Sequence, residues 1–288
     1  MIIFSQLIAN GLIAGSIYAL VALGYTMVYG ILGFINFAHG EVLMVGAYLA
    51  YALVAFAGVP IYAAMLISMA LCATLGVVIE RVAYRPLRNA PRLSPLITSI
   101  AVSLFLQATI LLTFGADVRT FSTGADEGYH ILGAIITPHQ LLLIAVTLAL
   151  MLGLYLFVTR TKLGTAMRAA TDNRNLALMI GINIDMVIAI VFAAGSALAA
   201  AGGVLIGFEQ NLTPTMGVVL GIKAFTAAVV GGIGNIYGAV LGGFAIGLIE
   251  NIGAWFIPSG YKDAIAFFIL LLMLLFKPAG LLGRNGRT

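Results

Sequence analysis

Asp185-Met-Val-Ile-Ala-Ile-Val-Phe-Ala-Ala-Gly-Ser-Ala-Leu-Ala-Ala-Ala-Gly-Gly-Val-Leu-Ile-Gly-Phe208 is a run of 24 residues whose single charge is its first residue. Wound as an α-helix at 1.5 Å per residue, it reaches about 36 Å, more than the roughly 30 Å hydrocarbon core of a bilayer. It is read as a membrane-spanning helix. The same reading applies to apolar windows near 7–30, 37–57, 60–80, 95–115, 139–159, 235–257 and 262–277. A shorter window at about 217–231 is either a short span or a re-entrant helix enclosed by protein.

The whole chain agrees with these windows. Of its 288 residues 62% are hydrophobic and 8% charged, and the mean hydropathy is +1.13. Soluble domains carry about 25% charged residues, so this chain lacks the charge to cover a water-facing surface. The expected fold is an all-α integral membrane protein of eight to nine transmembrane helices, forming one permease domain over 1–288. No Lys or Arg precedes Arg81. A cleavable signal peptide needs a basic start, so the first apolar segment is expected to be retained as a span.

Charge placement orients the helices. Arg81, Arg85, Arg88 and Arg92 fall in one loop, and Arg160, Lys162, Arg168 and Arg174 in a second. Lys277, Arg284 and Arg287 close the chain, so these three groups hold eleven of the fourteen basic residues. The loop at 116–138 sets Arg119 against Asp117, Asp126 and Glu127. Basic loops stay in the cytoplasm. This puts the C-terminus in the cytoplasm and the N-terminus in the periplasm, and nine crossings are self-consistent if 217–231 is one of them.

Soluble chemistry is not visible. The string Gly217 to Lys223 has neither P-loop spacing nor a Ser or Thr after the Lys, so the chain is not expected to bind or hydrolyse ATP, and no cofactor or metal is expected. There is no G-x-S-x-G elbow and no H-E-x-x-H pair. Gly232 to Gly238 misses the dinucleotide fingerprint by one residue. Cys72 stands alone in an apolar run and reads as a small buried hydrophobe. His130 and His139 fall in an outer loop. No basic tract is dense enough for nucleic acid.

Polar groups inside apolar runs are costly and need a partner or a task. The densest set is Asn36-Phe37-Ala38-His39-Gly40-Glu41. One reading is a helix start, with Asn36 as cap and Glu41 complementing the helix dipole. The other is a break whose Asn36, His39 and Glu41 line a solute pathway. Lys223 either snorkels to the outer face or meets a carboxylate in that pathway. Glu80 reads as interfacial, and Glu209, Glu250, Lys262 and Asp263 receive no role. Gly234, Gly238 and Gly242 recur every four residues, a small-xxx-small pattern for close helix packing.

The second basic loop, 160–183, ends in Arg168-Ala169-Ala170-Thr-Asp172-Asn173-Arg174-Asn175-Leu-Ala-Leu-Met-Ile-Gly181. Asp172 as N-cap, Leu176 to Ile180 as an apolar patch and Gly181 as C-cap predict one short amphipathic helix on the cytoplasmic face. It either lies on lipid or docks into a groove of a cytoplasmic partner.

Six strings then carry a resemblance. They are Gly24-Tyr-Thr-Met-Val-Tyr-Gly30, Ile35-Asn-Phe-Ala-His-Gly-Glu41, Glu80-Arg-Val-Ala-Tyr-Arg-Pro86, Gly181-Ile-Asn183, Lys223-Ala-Phe-Thr-Ala-Ala-Val-Val-Gly-Gly-Ile-Gly234 and Tyr261-Lys-Asp263. Together they run along almost the whole chain. In them the chain resembles the permease subunits of bacterial branched-chain amino acid ABC importers, the LivH type. The resemblance implies an inner-membrane location and a homologous second permease of the LivM type. It also implies two cytoplasmic ATPase subunits that bind the ATP, and a periplasmic protein delivering leucine, isoleucine or valine. The family's ATPase contact maps onto Arg168 to Gly181. The spaced Glu-Ala-Ala loop of other ABC permeases is not matched, since Arg168 precedes Ala169-Ala170. A urea or short-chain amide permease is the nearest alternative. A stand-alone secondary transporter is a second, for which Glu41 is the one fair coupling carboxylate.

Overall fold

The structure is a computed structural model describing residues 2–88, 90–91, 93–121, 128–131 and 133–283. Arg92, Asp126, Glu127, Arg284 and Arg287, used above in the charge argument, lie outside the described residues. The order is α1 (Ile2–Leu32), α2 (Ala38–Ala57), α3 (Ile61–Ile79), α4 (Leu93–Phe114), strands β1 (Tyr129–Ile131) and β2 (Ala134–Ile136), then α5 (Pro138–Arg160), α6 (Lys162–Asp172), α7 (Arg174–Met179), α8 (Ile184–Glu209), α9 (Met216–Gly231), α10 (Ile236–Gly253) and α11 (Lys262–Phe276). Every apolar window is helical. Among the described residues seven helices are long and apolar enough to cross a bilayer: α1, α2, α3 with its continuation to Leu87, α4, α5, α8 and α10. With 16 and 15 residues, α9 and α11 are shorter.

The core forms around α1, which is buried almost without interruption from Ile13 to Val28 and packs against α8, α9 and α10. In lipid the hydrophobic effect does not drive helices together, so close backbone approach must do so. Glycine supplies it on two faces of α10. A Cβ on Gly243 would overlap the backbone of Ala19 in α1, and one on Gly247 would overlap Gly15. On the opposite side, a Cβ on Gly238 or Gly242 would overlap the Gly231 or Ala227 carbonyl of α9. The expected packing set therefore changes by one member. Gly234 is not on the helix; it sits in the preceding turn at φ +91° with nothing within 4 Å of its missing Cβ. The physical reason is Asn235, whose Oδ1 accepts from the N–H groups of Tyr237 (3.0 Å) and Gly238 (3.2 Å) and so starts the helix after the turn.

The outward faces of α3, α4, α5 and α11 stay apolar and exposed, with Leu66, Phe105, Leu112, Leu152, Phe268 and Leu275 among them. Such faces suit lipid or another apolar helix. Between α8 and α9 the chain runs non-helically through 210–215, pinned by paired backbone bonds between Arg119 and Leu212 (3.0 and 2.8 Å). Leu212 is fully buried. Pro214 is buried as well, while Gln210, Asn211 and Thr215 are exposed.

Candidate functional site

The break after α1 is built by Gly33, whose positive φ of 71° ends the helix, and by Asn36. The Asn36 Oδ1 accepts from the Ala38 N–H (3.1 Å) and from the Tyr84 hydroxyl (2.7 Å). The cap position of α2 is Phe37, so Asn36 sits one residue before it, yet its side chain takes the first helical N–H and also joins α2 to the end of α3. His39 is buried between Gly24 and Gly195, edge-on to Tyr25 at 4.6 Å, and donates to the Val21 carbonyl. Its Nε2 has no partner among the described residues.

Gly40 and Gly217 bring the first turns of α2 and α9 into backbone contact, since a Cβ on either would strike the other helix. Two helix N-termini converge there, each with a partial positive charge. Glu41, 1% exposed, lies at this junction beside Gly217, with Ser103 of α4 3.5 Å from Oε1. Its Oε2 has no hydrogen-bond partner among the described residues. Converging helix starts favour an anion, and here the anion is the chain's own Glu41.

Lys223 does not snorkel. It is buried, with Nζ 2.5 Å from Glu250 Oε1 and 2.6 Å from Asp263 Oδ1. An ammonium facing lipid would cost several kcal/mol, and two carboxylates on α10 and α11 offset that cost. Glu80 is not interfacial either. It is 2% exposed and paired with Arg88, which also pairs with Asp185, while Arg85 reaches Asp185 at 2.5 Å. For Lys223 the carboxylate alternative holds but its partners were not named, and the Glu80 network was missed, because Glu250, Asp263 and Asp185 are far along the chain from the residues they pair with. The available signal was a carboxylate inside an apolar run, at Glu80 and again at Glu250.

At the end holding the basic clusters, a cavity of about 1410 Å³ opens between α1, α5, α6 and the start of α10. Tyr29, Tyr84, Arg88, Arg168, Asp172 and Arg174 are among its walls. Asn36, His39, Glu41 and Lys223 are not.

The segment after α5 forms two helices rather than one. Thr161 caps α6, and Asp172 is its last residue, not a cap. The cap of α7 is Asn173, whose Oδ1 accepts from the N–H groups of Asn175 (3.0 Å) and Leu176 (3.1 Å). The cap moves by one because Asn173 has extended backbone, φ −153°, whereas Asp172 is still helical. Asn173 N–H also closes α6 on the Ala169 carbonyl at 3.0 Å. Gly181 ends α7 as expected. At φ +83° it lets Ile182 N–H reach the Ala177 carbonyl and its own N–H reach Leu178, both at 3.0 Å. Ala170 and Ala177 are buried, while Leu176, Leu178, Met179 (81% exposed) and Ile180 (74%) project outward. Arg168 is exposed, with its guanidinium 3.3 Å from the Thr165 hydroxyl.

A continuous set of contacts leaves α7. Asn183 caps α8, Asp185 pairs with Arg85 and Arg88, Arg88 holds Glu80, and Tyr84, at the other end of the π-helical turn Glu80–Tyr84 that follows α3, holds Asn36. π-turns concentrate at functional sites. Removing the Tyr84 hydroxyl tests one link. Tyr84→Phe keeps the ring but strips a buried hydrogen bond, at about 1–2 kcal/mol. A lowered Tm in detergent is the expected reading, and an unchanged Tm would mean that the bond adds nothing.

Comparison with known proteins decides the family. The model of the branched-chain amino acid transport system permease component matches residues 7–274. The chain belongs to this family. The permease is 44% identical over 295 residues to the high-affinity branched-chain amino acid transport system permease protein BraD of Pseudomonas aeruginosa, covering 98% of this chain and 96% of that one. It is 43% identical over 298 residues to the corresponding protein LivH of Escherichia coli, with the same coverage. Its fold is shared with PsaBC from Streptococcus pneumoniae in complex with Fab. There the TM-score is 0.51 at 12% identity, over 94% of the permease and 91% of that chain. The permease is a multi-pass inner-membrane protein and one component of a transport system, which implies partner subunits.

Proposed function

We propose that this permease is a transmembrane subunit of a binding-protein-dependent ABC importer for leucine, isoleucine and valine. Its substrate pathway forms against a homologous second permease. Two cytoplasmic ATPase subunits bind the ATP and supply the work, and a periplasmic binding protein delivers the solute. Nine crossings place the N-terminus in the periplasm and the C-terminus in the cytoplasm. ATP-driven closure of the ATPases moves 160–183, and that motion reaches the break at Asn36, His39 and Glu41 to give alternating access.

The observation that carries this reading is the apolar tip of α7. Four apolar side chains, two of them more than 70% exposed, project from a capped short helix beside Arg168 and Arg174, at the end expected to face the cytoplasm. A surface of this kind suits an apolar groove with an acidic rim. Placing a charge in its centre, Met179→Asp, is expected to weaken ATPase association roughly 100-fold, about 3 kcal/mol. The side chain is exposed, so the permease's own Tm is expected to hold. Co-purification of the ATPases from membranes checks this, and full recovery with Met179→Asp would remove α7 from the contact.

The reading as a whole is tested by uptake into proteoliposomes holding both permeases, both ATPases and the binding protein. Leucine uptake that needs ATP and every subunit, and that valine and isoleucine compete, is the expected result. ATP-driven uptake of urea or an amide instead would replace the solute. Uptake by this chain alone on an ion gradient would overturn the assignment.

A further inference from the structure

The Lys223 cluster joins four helices. Lys223 of α9 lies between Glu250 of α10 and Asp263 of α11, and its Nζ is also 3.4 Å from the Tyr18 hydroxyl of α1. One cation therefore serves two anions. Lys262, next in sequence to Asp263, reaches the Asn251 side-chain oxygen at 3.1 Å. Glu250 is fully buried, and its Oε2 has no partner among the described residues. Asp263 is different: its side chain is 51% exposed. Further along the same helix, Phe267, Phe268 and Leu271 present apolar surface. An ionised group in such surroundings faces water or a partner rather than lipid. The cluster thus connects a sealed carboxylate to an open one through a single ammonium.

We infer that Lys223, Glu250 and Asp263 form a site for the zwitterionic backbone of an α-amino acid during its passage. This deepens, and rests on, the proposed amino acid import. The α-carboxylate takes Lys223, and the α-ammonium takes the carboxylates that Lys223 releases, Asp263 first because it is the exposed one. A zwitterion carries no net charge, so the exchange strands none. Every internal ion pair that opens is replaced by one to the ligand. A carboxylic acid alone would add a second uncompensated negative charge, which is strongly unfavourable, whereas an amine alone would neutralise the surplus carboxylate. The site therefore discriminates by what it rejects as well as by what it binds. Its demand is for the backbone common to leucine, isoleucine and valine, which leaves side-chain selection elsewhere.

The test uses saturation-transfer NMR on the detergent-solubilised complex of permeases and ATPases, without binding protein. The probes are leucine, 4-methylpentanoate (leucine without its ammonium) and 3-methylbutylamine (leucine without its carboxylate). For the wild type, a leucine signal roughly tenfold above that of 4-methylpentanoate is expected, with 3-methylbutylamine still bound. Asp263→Asn is expected to reduce the leucine signal by a similar factor and Asp263→Glu to restore it, each read on complex shown by size-exclusion chromatography to be assembled. Equal signals from leucine and 4-methylpentanoate, no leucine signal from the wild type, or an undiminished signal from Asp263→Asn would overturn the inference. If Asp263→Asn does not assemble, the analogue comparison on the wild type decides alone. Failure here beside intact ATP-driven leucine uptake removes only the site, whereas loss of that uptake in the wild type removes the importer reading.

Discussion

Arg88→Ala is expected to cost the permease about 3–5 kcal/mol, because it strands a carboxylate rather than because it deletes a bond. Glu80 is 2% exposed and Arg88 is its cation, held in turn by Asp185. An unpaired Glu80 would have to take up a proton or draw water into the bundle, and either loosens the joint between α3 and α8. The check is a double-mutant comparison by thermal unfolding in detergent. Arg88→Ala lowers Tm sharply, and Arg88→Ala with Glu80→Gln recovers most of the loss, since a neutral amide costs far less to bury. If the double variant is no better than the single one, the damage comes from lost packing and the ion-pair account is wrong. Asp185 retains Arg85 in both variants, so the comparison isolates Glu80.

Gly243→Val is expected to prevent a stable fold. The first added carbon already overlaps Ala19 backbone atoms, and those cannot rotate away as a flexible side chain can. Overpacking ordinarily costs about 1–3 kcal/mol when neighbours can adjust, and here the neighbour is the central helix. Monodisperse protein after detergent extraction is the measurement, with little or none expected. Gly153→Ala is the control. It lies on α5 with nothing within 4 Å of the added carbon, so it is expected to hold or gain up to about 1 kcal/mol of helix propensity. Normal yield from Gly243→Val would show that α1 and α10 can separate without consequence.

The sequence and the structure agree best where one segment is sufficient to settle the matter. An apolar run such as 185–208 has few alternatives to a helix in lipid, and Gly181 ends α7 because a positive φ and a local turn need no distant partner. Agreement is poorer where the answer depends on another helix. Lys223 could be read as snorkelling only while Glu250 and Asp263 were unplaced, and Glu80 as interfacial only while Arg88 was not seen folding back onto it. Gly234 fitted a four-residue spacing, but spacing does not say where a helix begins. Asn235 does, through its side-chain oxygen, just as Asn173 takes the cap of α7 from Asp172.

The brevity of α9 bears on how the protein is made. A helix of 16 residues carrying a buried lysine is a poor candidate for entering the bilayer unaided as it leaves the ribosome. The first carboxylate that neutralises the lysine, Glu250, is synthesised 27 residues later. Until α10 and then α11 emerge, α9 has neither the length nor the charge balance to be a stable resident of lipid. Biogenesis of this region is therefore a cooperative event: the last three helices enter as a group, and a ribosome that stalls between them leaves behind a fragment with an unmatched charge.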